Sequence, residues 1–239
     1  MDLKKVRLEL LKDLIRESKK LSIKELSEKL GVSEITIRRD ISILQSKGNI
    51  LLDRGFVIYN EMQHELIFNS RIHLNVEGKA KIAQLAFDRI KSGDVIALDL
   101  GSTTLELAKL IAEKSENLTV FTSSLQIANV LVKNEKIDVY IIPGKVRNTE
   151  LSICGSLAIE LINKLHFDLF FMSVAGIKEG LLYEYIIEES EVKKSFMKQS
   201  KRIIVLADYT KFGKTALIKV CNESQVSEII SDRKLDGTR

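Results

Sequence analysis

Two adjacent guanidinium groups, Arg38 and Arg39, fall inside the segment SEITIRRDISIL, residues 33–44. Wound as a helix, this segment sets Glu34, Arg38 and Ser42 in a line four residues apart, with Arg39 one position around. Thr36 and Gln45 belong to the same outer face. Arginine can fork onto phosphate oxygens or onto the O6/N7 edge of guanine, and Thr36 and Ser42 can donate to backbone or bases. The face is therefore a candidate for reading nucleic acid, with Asp40 available to orient an arginine through an ion pair. Adjacent arginines also occur as an ordinary solvated face, so spacing by itself leaves both readings open.

A second polar set follows apolar stretches later in the chain. DLGSTT, residues 99–104, comes after VIAL and opens a helical pattern. Gly101 permits close backbone approach, Ser102, Thr103 and Thr104 carry hydroxyls, and a helix N-terminus presents unpaired N–H groups to an anion. Thr122-Ser123-Ser124, Gly144-Lys145-Val146-Arg147, Ala175-Gly176 and DYTKFG at 208–213 stand at equivalent places. Lys145, Arg147 and Lys211 can neutralise a phosphate, while Asp99 and Asp208 can accept hydrogen bonds from sugar hydroxyls. The plain alternatives are that Ser102 and Thr104 cap a helix, that the aspartates bind nearby N–H groups, and that the cations are surface charge. Neither GxGxxG nor GxxxxGK[ST] occurs, which argues against dinucleotide use and nucleotide hydrolysis. Cys154 and Cys221 lie far apart without CxxC spacing and the three histidines are scattered, so no metal, cofactor or disulfide framework is expected.

The elements that must position these groups are legible from period and punctuation. Val6, Leu10, Leu11, Leu14 and Ile15 form an apolar stripe that predicts a helix over 3–18. Ser22, with Glu25 three positions on, reads as a capping box for a second helix with Leu26 and Leu30 inward and Gly31 ending it. A third helix runs from after Ser33 to about Lys47, with Ile37, Ile41 and Leu44 inward and Gly48 as its C-cap. Two short helices joined by a Gly-containing turn have helix-turn-helix spacing. NILLDRGFVIYN then reads as a hairpin wing that carries Arg54 toward the minor groove or phosphates.

Residues 61–75 form a connecting segment between a domain at 1–60 and one at 76–239. In the latter a helix over EGKAKIAQLAFDRI, closed by Gly93, precedes alternating apolar strands and helices: VIALDL, a helix at 104–113, LTVFTS, a helix at 125–134, VYIIP, FDLFFMSVAG, a charged helix around 188–200, and RIIVLAD. Such alternation predicts a mostly parallel α/β sheet, whose ligands collect at the carboxyl ends of the strands.

Charge divides along the same line. Residues 1–60 hold 13 Lys/Arg against 9 Asp/Glu, and the remainder is balanced at 24 against 24, so the whole excess of +4 sits in the N-terminal quarter. That is the distribution expected if this quarter meets a polyanion. The N-terminus has no uninterrupted apolar run and later apolar runs are of strand length, so a cytoplasmic location without a membrane partner is expected.

LSIKELSEKLGVSEITIRRDISILQSKGNI resembles the signature of the DeoR family of bacterial transcriptional regulators. That family's Ser-x-x-Thr-[Ile/Val]-Arg-Arg-Asp pattern is met by Ser33, Thr36, Ile37, Arg38, Arg39 and Asp40. In the wing, DRGFVIY stands where the family usually has His-Gly-Gly. The resemblance continues in Phe68 to Arg71 with Lys79, in Asp99, Gly101, Ser102, Thr103 and Thr104, in Thr122 to Ser124, in Pro143-Gly144, and in Asp208, Lys211, Phe212 and Gly213. Leu181, Leu182 and Tyr183 replace a small polar stretch. The resemblance implies a winged helix-turn-helix with Ser33 in its DNA-binding set, followed by a sensor domain similar to ribose-5-phosphate isomerase that responds to a phosphorylated sugar.

The combined expectation is a non-enzymatic, sequence-specific repressor of carbohydrate metabolism genes. Its partners are double-stranded operator DNA, a phosphorylated sugar effector and further copies of itself, as a dimer or tetramer. A sugar-phosphate isomerase is the alternative, for which Asp99, Asp208, Glu188 or Glu189 are the available acid/base groups. A protein-binding adaptor is the third reading.

Overall fold

Local chemistry sets the boundaries of the first elements. In a computed structural model that describes residues 3–46, 50–53, 55–59 and 68–233, the chain forms two compact units, Met1–Leu66 and Ile67–Arg239. The first contains α1 (Leu3–Ser18), β1 (Lys20–Ser22), α2 (Ile23–Leu30), α3 (Glu34–Ser46), β2 (Ile50–Asp53) and β3 (Phe56–Tyr59). The capping box forms as expected: Ser22 Oγ accepts from Glu25 N at 3.2 Å, and the Glu25 carboxylate accepts from Ser22 N at 2.7 Å. Gly31 ends α2 at φ +64°, a left-handed conformation costly for a residue with a Cβ.

The core of this unit joins Leu11, Ile15, Leu26, Ile37, Ile41, Leu44, Ile50 and Val57. The α1 stripe is rotated from its expected position: Leu8, Leu11 and Ile15 are buried, whereas Val6 and Leu10 are exposed. The hairpin wing is present with Asp53 opposite Phe56. β1 adds to it antiparallel, giving the order β1-β3-β2. The expected cap at Gly48 and the wing residue Arg54 lie outside the described residues.

The second unit begins with α4 (Phe68–Ile72) and α5 (Val76–Phe87), then β4 (Val95–Leu98), α6 (Ser102–Lys114), β5 (Leu118–Thr122), α7 (Leu125–Leu131) and β6 (Ile137–Ile141). It continues with β7 (Lys145–Arg147), β8 (Ser152–Cys154), α8 (Ser156–Ile162), β9 (Phe167–Ser173), β10 (Gly176–Lys178) and β11 (Leu181–Glu184). The last elements are α9 (Ile187–Lys198), β12 (Ser200–Leu206), β13 (Ile218–Asn222) and β14 (Glu228–Ile230). Six strands form one parallel sheet in the order β14-β12-β9-β4-β5-β6. Both faces are covered, as a parallel sheet requires. Leu169 and Phe171 of β9 enter one core with α5, α6 and α7, while Phe170 and Met172 enter the other with α8 and α9.

Three features depart from the sequence reading. Residues 68–75, expected in a connecting segment, belong to the second unit, with Phe68 fully within its core. The antiparallel β7–β8 hairpin and the sheet β10-β11-β13 were not anticipated, because strands of three to five residues carry little periodic signal. Helix α5 ends at Phe87, well before Gly93. Among the described residues no helix is long and apolar enough to cross a membrane.

Candidate functional site

Helix α3 turns Glu34, Arg38, Arg39 and Ser42 outward and buries Ile37, Ile41 and Leu44. Ser33 caps it: its hydroxyl accepts from Thr36 N at 3.3 Å and lies 3.0 Å from Thr36 Oγ1. Arg38 stands 4.0 Å from the Glu34 carboxylate, and both side chains are more than half exposed. A surface pair of that kind contributes little and exchanges readily for a phosphate.

Two expectations for this face are corrected. Gln45 is 9% exposed; it follows Ile41 by four residues, which returns it to the buried side of the helix. Asp40 does not orient its neighbouring arginines. It is buried, and its carboxylate accepts from Arg7 Nε at 2.5 Å and Nη2 at 3.2 Å, tying α3 to α1. The reading surface is thus the exposed Arg38, Arg39 and Ser42 with the half-buried Thr36.

The candidate effector residues do gather at the carboxyl edge of the parallel sheet. The loop 99–104 follows β4, Ser123 follows β5, Gly144 follows β6, Ser173 ends β9 and Asp208 follows β12. Strand order places these ends side by side. A Cβ at Gly101 would stand 2.7 Å from Ser173 Cβ, so only glycine lets the β4 and β9 loops approach this closely. At Gly144 a Cβ would stand 2.6 Å from the Cys154 carbonyl oxygen.

Several members of the set also hold the edge together through bonds within the protein. Asp99 is buried and accepts from Ser173 N at 3.0 Å and Ser173 Oγ at 2.9 Å, with Lys193 Nζ also 3.0 Å away. Thr104 is fully buried and donates to the Gly101 carbonyl. Arg147 Nε donates to Glu189 at 2.9 Å, and Ser152 Oγ donates to the same carboxylate oxygen at 2.5 Å. Asp208 accepts from Thr210 N at 2.9 Å. Ser123 is fully buried, its hydroxyl without a partner among the described residues. Ser102 and Thr103 sit at the N-terminal turn of α6, and Lys145 is exposed on β7. Asp99, Asp208 and Glu189, three of the four acid/base groups available to an isomerase, are therefore engaged in structural bonds.

Beside Asp208 lies a cluster of cations that the residue-level reading did not assemble. Burial pushes Lys79 down to about 8; Asp208 opposes this, and Lys211 and Arg71 add to it. Burial, and next the Arg71 guanidinium, hold Lys211 below the ordinary lysine range. Lys214 is also lowered by burial, with Asp208 pulling the other way. Lys79, Lys211 and Lys214 thus share Asp208 at the mouth of β12, at the cost of a mutual repulsion to which Arg71 adds. The chemistry that relieves it is a bound anion.

A second buried cation, Lys193, organises the neighbouring loops. Its ammonium meets Glu184 at 2.5 Å, Asp99 at 3.0 Å and the Ser173 carbonyl at 2.7 Å. Burial would lower it, but Asp99 and Glu184 outweigh that and hold it above the ordinary range. Burial also raises Asp99 despite Lys193, whereas for Glu184 the ammonium overcomes burial and the carboxyl stays low. The signal for Lys193 was available in the sequence: Glu189, Val192, Lys193 and Phe196 recur at the 3-and-4 spacing of an inward helical face.

Residues 7–63 match the family described as DeoR-like helix-turn-helix domain, and residues 74–233 match the DeoR C terminal sensor domain. The HTH-type transcriptional regulator GolR of Listeria innocua is 34% identical over 93% of this chain and 88% of its own length. The L-fucose operon activator of Haemophilus influenzae is 32% identical, covering 95% and 91%. The lactose phosphotransferase system repressor of Staphylococcus epidermidis is 30% identical over the same shares. Among solved structures, a D-ribose-5-phosphate isomerase superposes with a TM-score of 0.44 at 19% identity, over 57% of this chain and 54% of that one.

Proposed function

This chain belongs to the DeoR family of DNA-binding transcriptional regulators, and we propose that it represses carbohydrate metabolism genes until a phosphorylated sugar occupies its sensor unit. Thr36, Arg38, Arg39 and Ser42 read operator DNA in the major groove, Ser33 sets the start of the reading helix, and Arg54 of the wing contacts the backbone. The effector's phosphate sits among Lys79, Lys211 and Lys214, close to the N-terminal turn of α6 at Ser102 and Thr103. The observation that carries this reading is the convergence of the 99–104 loop, Ser123, Gly144 and Asp208 on the carboxyl edge of the parallel sheet, where Lys79, Lys211 and Lys214 share Asp208. The regulator acts in the cytoplasm as a homodimer or tetramer, since paired recognition helices match paired half-sites. Relatives named for lactose and fucose systems support the carbohydrate assignment.

The test is fluorescence anisotropy of the full chain on DNA from its own upstream region, titrated with salt and with a panel of sugar phosphates. Selective, salt-sensitive binding relieved by one sugar phosphate is expected. Selective binding enhanced by a sugar phosphate would reverse the sign of the coupling, making the sugar phosphate a co-ligand for DNA binding rather than an inducer. Selective binding that no phosphorylated sugar changes would refute the effector assignment.

A further inference from the structure

Arg71, near the end of α4, stands between two systems. On one side is Glu150, in the turn that joins β7 to β8 and almost wholly buried. Its carboxylate accepts from the Phe68 N–H at 3.1 Å and from Arg71 Nη2, so both ends of α4 are tied to one acid. The guanidinium also lies over the Phe68 ring, 5.5 Å from its centroid. The Glu150 carbonyl is in turn held by Gln126 Nε2 at 3.4 Å. On the other side is the cation cluster. Lys79 Nζ donates to the Arg71 carbonyl, and the Arg71 charge is among those that lower Lys79 and Lys211.

We propose that Arg71 is a further effector-binding residue that exchanges partners: with the site empty it pairs with Glu150 and pins α4, and with the site filled it turns its guanidinium to the bound anion. The inference rests on the effector reading above. A phosphate monoester presents the same forked acceptor geometry as a carboxylate and carries more charge, so it competes directly for the guanidinium. Burial, with Glu189 nearby adding repulsion, holds Glu150 above the ordinary carboxylate range, so it can take up a proton when Arg71 leaves rather than remain a buried charge. Once Arg71 leaves, the buried carboxylate loses its strongest partner and the anchoring of α4 loosens. A ligand shifts an equilibrium only through contacts that differ between two states. The exchange of Glu150 for phosphate is such a difference. Helix α4 is the first described element of the second unit, so the exchange changes the anchoring of the N-terminal end of that unit.

The experiment uses the full chain with inorganic phosphate and glucose 6-phosphate as probes, read by titration calorimetry and by hydrogen exchange at residues 68–72. In the wild type either probe should speed exchange of the Phe68 amide. Glu150→Gln keeps an acceptor for that amide but removes the competing charge; it should bind phosphate on the order of tenfold tighter. Arg71→Lys keeps a positive charge without the fork, and it should bind on the order of tenfold weaker with exchange at 68–72 no longer responding. Circular dichroism melts of both variants establish that they fold. Wild-type binding with unchanged exchange at 68–72, or unchanged affinity in folded Glu150→Gln, overturns the exchange while leaving the effector site standing. Failure of the wild type to bind either probe overturns the effector site and the exchange with it.

Discussion

Replacing Lys193 by methionine tests the electrostatics of the sensor unit most directly. The substitution keeps the length of the side chain and removes an ammonium that meets Asp99 at 3.0 Å, Glu184 at 2.5 Å and the Ser173 carbonyl at 2.7 Å. Both carboxylates remain, with side chains only 2% and 7% exposed. Removing one partner of a buried ion pair costs about 3–5 kcal/mol, because the remaining charge keeps its desolvation penalty. Here two acids lose one base, so the upper end, about 5 kcal/mol, is expected at pH 8.

The pH dependence follows from the same geometry. Without the ammonium, burial and mutual repulsion lift the folded-state values of Asp99 and Glu184 above their unfolded values. Their contribution is then present at low pH and lost as pH rises through the folded values. The variant should therefore recover part of its loss at pH 5.5. In the native chain Asp99 is raised and Glu184 lowered, so their trends oppose and no such recovery is expected. The chain has no tryptophan, so urea unfolding of the larger unit is best followed by far-ultraviolet circular dichroism. Adding Glu184→Gln to Lys193→Met should restore part of the stability, since Asp99 stays buried without its base. A loss below about 1 kcal/mol at both pH values, or one that deepens on acidification, would refute the reasoning.

Arg38→Ala and Arg39→Ala should each cost about 1–3 kcal/mol in operator binding, and a residue bound to phosphate should lower the salt slope by about one; anisotropy at three salt concentrations reads both. Anion binding should weaken between pH 7 and pH 9 as Lys79, held at about 8 by burial, loses its charge, and Lys79→Met should bind weakly with that pH dependence flattened; calorimetry at the two pH values decides. Gly101→Ala brings a Cβ to 2.7 Å from Ser173 Cβ and 2.9 Å from Thr104 Oγ1, so the loop must shift at a cost of about 1–3 kcal/mol, with weaker effector binding in the same preparation.

Much of the molecule was legible because its causes are local. The Ser22–Glu25 box, the left-handed Gly31 and the inward line Ile37, Ile41, Leu44 are written within a few residues of one another. The doubly covered parallel sheet is likewise visible in consecutive apolar runs such as FDLFFM, whose alternate residues face two cores. The arginines of the reading helix, and the placing of polar loops at strand ends, follow from those periods.

What the sequence could not decide is which polar groups spend themselves on one another. Asp40 looked free to orient Arg38 or Arg39 and instead binds Arg7, 33 residues away. Arg147, a candidate phosphate ligand, pairs with Glu189, 42 residues on. Arg71 and Glu150 are separated by 79 positions. A buried charge must find an opposite charge or a donor wherever the fold supplies one. Helical and strand periods therefore determined where side chains point, while the partners they meet there, and hence which cations remain for an effector, were set only when distant segments packed together.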